Sequence, residues 1–233
     1  RRDSRTFESV LPPLPAGTYQ LYAEVTRENG LSETLVTRLN VPAPSGPELP
    51  PMADWKMVNE VWCRSPGVPV GNSGQPYALD ADDSWQIEAA HVPAAAMRTQ
   101  VASLADGGKM IFHNAGDLVE NRETSLRFSV FTSEGRQAAL QPYMGMAGHA
   151  VVRRMDGAVF THLHPVGTVS MAATELLARR ERTGELQAMP VTTGNEVTFP
   201  YAFPRAGEYR LWVQVRLDGK VRTGVFDVRV APL

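Results

Sequence analysis

Apolar residues recur at every second position in two stretches of the chain that match when they are aligned. Tyr19, Leu21, Ala23 and Val25 share one parity, and Tyr209, Leu211, Val213 and Val215 repeat it. A period of two predicts half-buried strands. Each stretch carries the frame Ala-Gly-x-Tyr-x-Leu behind a proline, with Ala16-Gly17 answering to Ala206-Gly207. Asn29-Gly30 and Asp218-Gly219 then supply hairpin turns. The returning strands carry Leu35, Leu39 and Val41 in one copy and Val225, Val228 and Val230 in the other. This reads as an internal duplication of a hairpin unit. The second copy is preceded by a histidine-bearing segment, whereas almost nothing precedes the first. Residues 1–42 are therefore expected to be the C-terminal part of an upstream sandwich. A lone pair of strands is only marginally stable, so it should dock on the middle segment or on a second protomer.

Alternation also predicts strands at Lys109–His113, Ser125–Phe131, Val151–Arg154 and Val159–Thr161, where β-branched and aromatic residues concentrate. Short strands at this spacing suggest an all-β chain of Ig-like or cupredoxin-like sandwich type. Ala172–Arg182, rich in Ala, Leu, Glu and Arg, predicts one short inserted helix. Pro42–Pro47 and Pro50-Pro51 read as a linker, and Met52–Met97 has weak periodicity, with Trp55, Trp62 and Trp85 scattered through it. The expected organisation is a partial sandwich repeat over residues 1–42, a Pro-rich linker and irregular segment over 43–97, and an Ig-like sandwich over 98–233.

The histidine segment has a geometry that can be worked from its turn. Asp156-Gly157 between two apolar runs is a strong hairpin signal. If these are the two turn residues, Met155 faces Ala158, and by extension His149 faces His164. Side chains alternate across a strand, so His149, His162 and His164 would then share one face, directly opposed residues having Cβ atoms about 4.5–5.5 Å apart. A three-residue loop over Met155-Asp156-Gly157 would instead set His149 against Leu163 and turn it to the other face. One residue of register decides the site.

Composition narrows the function. The 233 residues carry a net charge of −2 with 21% charged residues, so no basic field calls for nucleic acid. Hydrophobic content of 43% with 18 Pro and 19 Gly suits a folded protein rich in strands and turns. Cys63 is the only cysteine, which excludes an intrachain disulfide. No apolar run is long enough to span a membrane and none follows Arg1-Arg2-Asp3-Ser4-Arg5 as a signal peptide would, so membrane association is expected only through a segment absent from this chain.

Neutral imidazole is the commonest ligand for Zn, Cu and Ni, and a thioether adds preference for Cu(I). Met144, Met146 and Met171 lie near the histidines in sequence, which tilts the expectation toward copper, with zinc as the alternative. The competing readings are methionines that fill the core, and histidines that bond backbone or form a pH-sensitive cluster. His91 and His113 read as structural or exposed. A blue-copper site is disfavoured, because it needs a thiolate beside its histidines and Cys63 lies in the loop-like run Trp62–Gly67. Neither a Gly-x-Ser-x-Gly elbow nor a His-Glu-x-x-His helix occurs, Gly67–Gly74 lacks a phosphate-loop lysine, and Asp80–Asp83 lacks the rest of a calcium loop.

Tyr143-Met144-Gly145-Met146-Ala147-Gly148-His149, followed by His162-Leu163-His164-Pro165 and the closing hairpin, resembles a family of bacterial secreted or membrane-tethered β-sandwich domains. Those domains carry a Gly-His strand, a His-x-His-Pro strand and a closing hairpin, and often occur with heavy-metal and copper-handling proteins. The resemblance covers roughly residues 100–232 and, for the hairpin alone, residues 7–42. It implies an extracytoplasmic domain that binds copper, and it carries over to His149, His162 and His164. The resulting expectation is a noncatalytic metal-binding module, periplasmic or secreted, with Met144 or Met146 as additional ligands and a protein partner or homodimer completing the partial repeat. Two alternatives stand beside it. One is a structural or adhesive Ig-like domain with incidental histidines, and the other is an enzyme with a three-histidine zinc site.

Overall fold

The alternating pattern is realised as strands throughout the described part of the chain. A computed structural model describes residues 16–26, 32–42, 61–63, 84–86, 98–143, 146–165, 167 and 194–233, and no helix occurs among them. The expected helix at 172–182, the turn at Asn29-Gly30 and the acidic run at Asp80–Asp83 lie outside the described residues. Among the described residues twelve strands follow in order: β1 (Gly17–Thr26), β2 (Ser32–Val41), β3 (Val61–Cys63), β4 (Ser84–Gln86), β5 (Gln100–Ser103), β6 (Lys109–Phe112), β7 (Glu123–Phe131), β8 (His149–Arg154), β9 (Phe160–Leu163), β10 (Glu196–Ala202), β11 (Gly207–Leu217) and β12 (Lys220–Val230).

The chain divides into two compact units, Arg1–Ala23 with Val36–Glu88 and Glu24–Leu35 with Ala89–Leu233. Two small sheets stand apart from the main fold in sequence. β1 pairs with β2, and Thr18 Oγ1 bonds Asn40 Oδ1 at 2.9 Å between them. β3 pairs with β4, setting Trp62 opposite Trp85. Cys63 therefore belongs to a strand and not to the loop expected at Trp62–Gly67.

The remaining eight strands form two antiparallel four-stranded sheets, ordered β10-β7-β6-β5 and β12-β11-β8-β9. One parity of each strand enters a single apolar core: Leu126, Phe128 and Val130 from β7, Val197, Phe199 and Tyr201 from β10, Tyr209, Leu211, Val213 and Val215 from β11, and Phe226, Val228 and Val230 from β12. Phe112 stacks on Phe128 with ring centroids 4.4 Å apart, and Phe226 meets both. Each such ring stabilises the fold by about 1.5–3 kcal/mol on burial. Two sheets sharing one core make an arrangement consistent with a β-sandwich.

The two Asp-Gly pairs make different turns. At Asp218-Gly219 both residues have positive φ, 48° and 73°, and Leu217 pairs directly with Lys220, which is the two-residue hairpin the sequence predicts. At Asp156-Gly157 only the glycine has positive φ, at 76°. Gly157 N–H donates to the Arg154 carbonyl and Arg154 N–H to the Val159 carbonyl, so a four-residue connection, Met155–Ala158, replaces the two-residue turn. The Asp156 carboxylate holds it by accepting from Ala158 N–H at 3.0 Å and from Arg154 Nη1 at 2.7 Å. Two-residue and four-residue loops preserve the same pairing, so the register is the one that brings the histidines together.

Candidate metal centre

The centre lies on β8 and β9, with β11 flanking β8 on its other side. Ala150 pairs with Leu163, Val151 with His162 and Arg153 with Phe160. Ala150, Val152 and Leu163 point into the core. His149, Val151 and His162 therefore occupy the opposite face, and His164, two residues beyond His162, shares it. β11 continues the same face with Gln214 opposite His149, Trp212 opposite Val151 and Arg210 opposite Arg153.

Local sequence explains how each histidine is placed. Gly148 precedes His149 because a Cβ there would meet the Gln214 carbonyl oxygen at 2.7 Å and Val215 Cγ1 at 3.3 Å. The glycine is a requirement of space, where the backbone of β8 begins against β11. After His164 the chain turns at once. Gly167 N–H donates to the His164 carbonyl at 2.8 Å, His164 N–H returns a bond to Gly167 at 2.7 Å, and Pro165 follows His164 inside the turn. Proline presets φ for that position and cannot prolong a strand ladder, so β9 ends just before His164, at Leu163.

The three rings converge. Ring centroids are 5.2 Å apart for His149 and His162, 4.9 Å for His149 and His164, and 4.6 Å for His162 and His164. One nitrogen from each ring can be chosen so that all three lie within 4.8 Å of one another, and the group can hold a metal ion. His149 Nδ1 and His162 Nε2 are 3.2 Å apart, close to the ~3.3 Å between nitrogens that bind one tetrahedral metal at about 2.0–2.1 Å.

His149 is set in one tautomer by its surroundings. Its Nε2 lies 3.0 Å from the Tyr143 carbonyl, which can only accept, so Nε2 carries the proton and Nδ1 presents a lone pair toward His162. A ligating histidine whose other nitrogen donates to a backbone carbonyl is the usual outer support of a metal site. The Tyr143 ring also meets His149 edge-on at 5.0 Å. Burial pushes the His149 pKa down from 6.5 to about 3, and positive charge on His162 and then on His164 pushes the same way. His149 is thus a neutral donor across the physiological range. His149 and His164 are buried, and His162 is partly exposed.

The other expected site residues divide. Met146 is buried, and its backbone exchanges two hydrogen bonds with Tyr143, at 2.7 and 3.0 Å, so the carbonyl that orients His149 also accepts Met146 N–H. Met144, Met171 and His91 lie outside the described residues. His113 is exposed, directly after β6 of the other sheet, and bonds Ser129 Oγ at 2.6 Å, which in turn donates to Glu196 Oε1 at 3.3 Å.

Sequence reasoning does not find the role of Tyr143 as a carbonyl acceptor or the buried polar face of β11. Arg210, Trp212 and Gln214 alternate with core residues and read as a solvent-facing parity, yet each is 2% exposed or less. Arg210 is held by Asp227 through Nε–Oδ1 and Nη2–Oδ2 bonds of 2.6 Å each. Trp212 Nε1 is buried without a hydrogen-bond partner among the described residues. The available signal is a tryptophan and a glutamine on a strand next to Gly148-His149.

A family model described as Domain of unknown function (DUF8832) matches residues 102–232, more than half of the chain and a span that includes all three histidines. No curated protein matches the chain.

Proposed function

As the chain belongs to the DUF8832 family, we propose for it a function read from its own geometry: a noncatalytic metal-binding module that handles copper, with zinc as the alternative metal. His149 through Nδ1, His162 through Nε2 and His164 are the ligands. Met146, tied to Tyr143 beside His149, and Met144 are the additional donors. The observation that carries the reading is the convergence of three imidazoles, with His149 locked in the tautomer that leaves its inward nitrogen unprotonated.

The module is extracytoplasmic and of Ig-like type. The resemblance of the Gly-His, His-x-His-Pro and closing-hairpin motifs supports both statements. The hydroxyl of Tyr209 donating to the Arg205 carbonyl at 2.7 Å supports the second, since Ig-like sandwiches carry such a tyrosine at a strand corner. A protein partner or second protomer completes the sandwich begun by β1 and β2. The competing reading, an adhesive or structural module, draws on the half-exposed Leu35 and Val36 of β2.

Titration of the purified chain with Cu(I), Cu(II) and Zn(II), against competing chelators, tests the proposal. One equivalent is expected to bind, and replacing His149, His162 and His164 together by alanine is expected to abolish it. Equal binding by the two proteins, or none by either, would transfer support to the adhesive reading.

A further inference from the structure

We infer that His162 is the exchange ligand of the centre, the imidazole that yields its place when an ion is delivered or collected, while His149 and His164 keep hold; the inference rests on the metal-binding reading and gives the three histidines unequal roles.

The three rings converge, but the fold does not hold them alike. His149 is 2% exposed and His164 4%, whereas His162 is partly exposed. The strands explain the difference. His149 stands on β8, which runs between β11 and β9, and it pairs with Gln214 of β11. His162 stands opposite Val151 on β9, the last strand in the order of that sheet. His164 follows two residues later, where its two backbone bonds with Gly167 close the turn. The His149 ring is fixed further, at Nε2 by the Tyr143 carbonyl and edge-on by the Tyr143 ring.

These restraints have a kinetic consequence. An incoming ligand has to reach the ion before it can replace an imidazole, and of the three rings His162 is the one it meets at the surface. Displacing either buried ring requires the backbone around it to open first, which costs free energy before any bond is exchanged.

The hydrogen positions point to the same residue. His149 Nδ1 carries a lone pair because Nε2 donates to Tyr143, so His162 Nε2 is the donor in the 3.2 Å contact between the two rings. In the metal-free centre that proton stands between the two nitrogens an ion would join. It keeps the empty centre assembled. Loading replaces an N–H···N bridge with an N–metal–N bridge, and because a ligating imidazole is neutral, the proton passes through water from Nε2 to Nδ1 of His162. A ring in contact with water can make that exchange without opening the fold.

The experiment uses the full chain. In the metal-free wild type, labelling with diethyl pyrocarbonate, resolved by peptide mass spectrometry, is expected to modify His162 more than about tenfold faster than His149 or His164, since a buried ring reacts only in molecules that have opened locally. Zn(II), or Ag(I) as a redox-inert stand-in for Cu(I), is expected to protect His162. In stopped-flow transfer of Zn(II) to a chromophoric chelator, His162→Ala is expected to retain binding. It should release the ion more than about tenfold faster than the wild type, because even a lost outer support costs a metal site about 10–100-fold. Free imidazole should restore slow release in that variant, whose vacated position faces solvent, and not in His149→Ala. Equal labelling of the three histidines overturns the inference, and so do release from His162→Ala at the wild-type rate and equal restoration of both variants. In each of these outcomes the wild type still binds metal and the metal-binding reading survives. Failure of the wild type to bind either ion overturns both. The labelling uses no variant, so the test stands even if His149→Ala does not fold.

Discussion

At the scale of single residues, His149 couples the centre to the stability of the fold. Its folded pKa lies near 3, below the ordinary 6.5, because burial disfavours the imidazolium. Between those two values the unfolded chain binds a proton at this residue that the folded chain refuses. Stability therefore falls as pH falls through that window, by about 1.4 kcal/mol per pH unit from this group. Above pH ~6.5 both states are neutral at His149 and its contribution is flat. Urea unfolding of metal-free protein at pH 7, 6 and 5 should show this decline in the wild type and a shallower one in His149→Gln. Parallel profiles for the two proteins would mean that His149 is not held neutral. The same burial makes the residue a good ligand, since no proton has to be displaced from its inward nitrogen before a metal binds.

At the scale of elements, the connection between β8 and β9 determines whether there is a centre at all. Met155–Ala158 is a four-residue connection, and its even length keeps His149, His162 and His164 on one face. Deleting Ala158 alone leaves an odd loop, and β9 must then either turn its histidines into the core or strain the pairing. Deleting Met155 and Ala158 together leaves Asp156-Gly157 between Arg154 and Val159, the arrangement already present at Asp218-Gly219. Metal binding should be lost in the first variant and kept in the second, as read by stoichiometry in chelator competition. The reverse order would show that register does not govern the site. The even pairing was legible because Asp-Gly between apolar runs announces a hairpin, although the dipeptide does not say which even loop it makes. Strands β6 to β9, β11 and β12 were legible from alternation. β10 escapes the pattern because Pro200 interrupts it, and proline is tolerated there because β10 is a sheet edge. β5 is only four residues long and leaves Val101 exposed, so it carries too little pattern to be read. The buried parity of β11 was illegible for a different reason. Arg210 and Gln214 are polar, and only the fold shows that this face, too, is shielded from water.

At the scale of the whole molecule, the centre sits on the sheet that shares its core with the other four-stranded sheet, so an ion bound there is linked to the unfolding of both. His149 begins β8, and the neighbouring Ala150 and Val152 lie in the same apolar cluster as Phe128 and Phe199 of the facing sheet. Three ligands drawn from two strands have no reason to stay together once that cluster opens, so the unfolded chain should bind the ion far more weakly. A ligand that binds only the folded state adds about 2.7 kcal/mol at a free concentration 100 times its Kd. For a domain of this size each kcal/mol corresponds to about 2–4 °C. Saturating Ag(I) or Zn(II) should thus raise the Tm of the transition that unfolds the shared core by roughly 5–10 °C, in proportion to the logarithm of free metal. The alanine variant lacking all three histidines should show no such rise, although its core is unchanged. An equal rise in that variant would place the stabilising ion elsewhere on the chain. A wild type that binds one equivalent without a shift would mean that the three imidazoles remain gathered after the two sheets part.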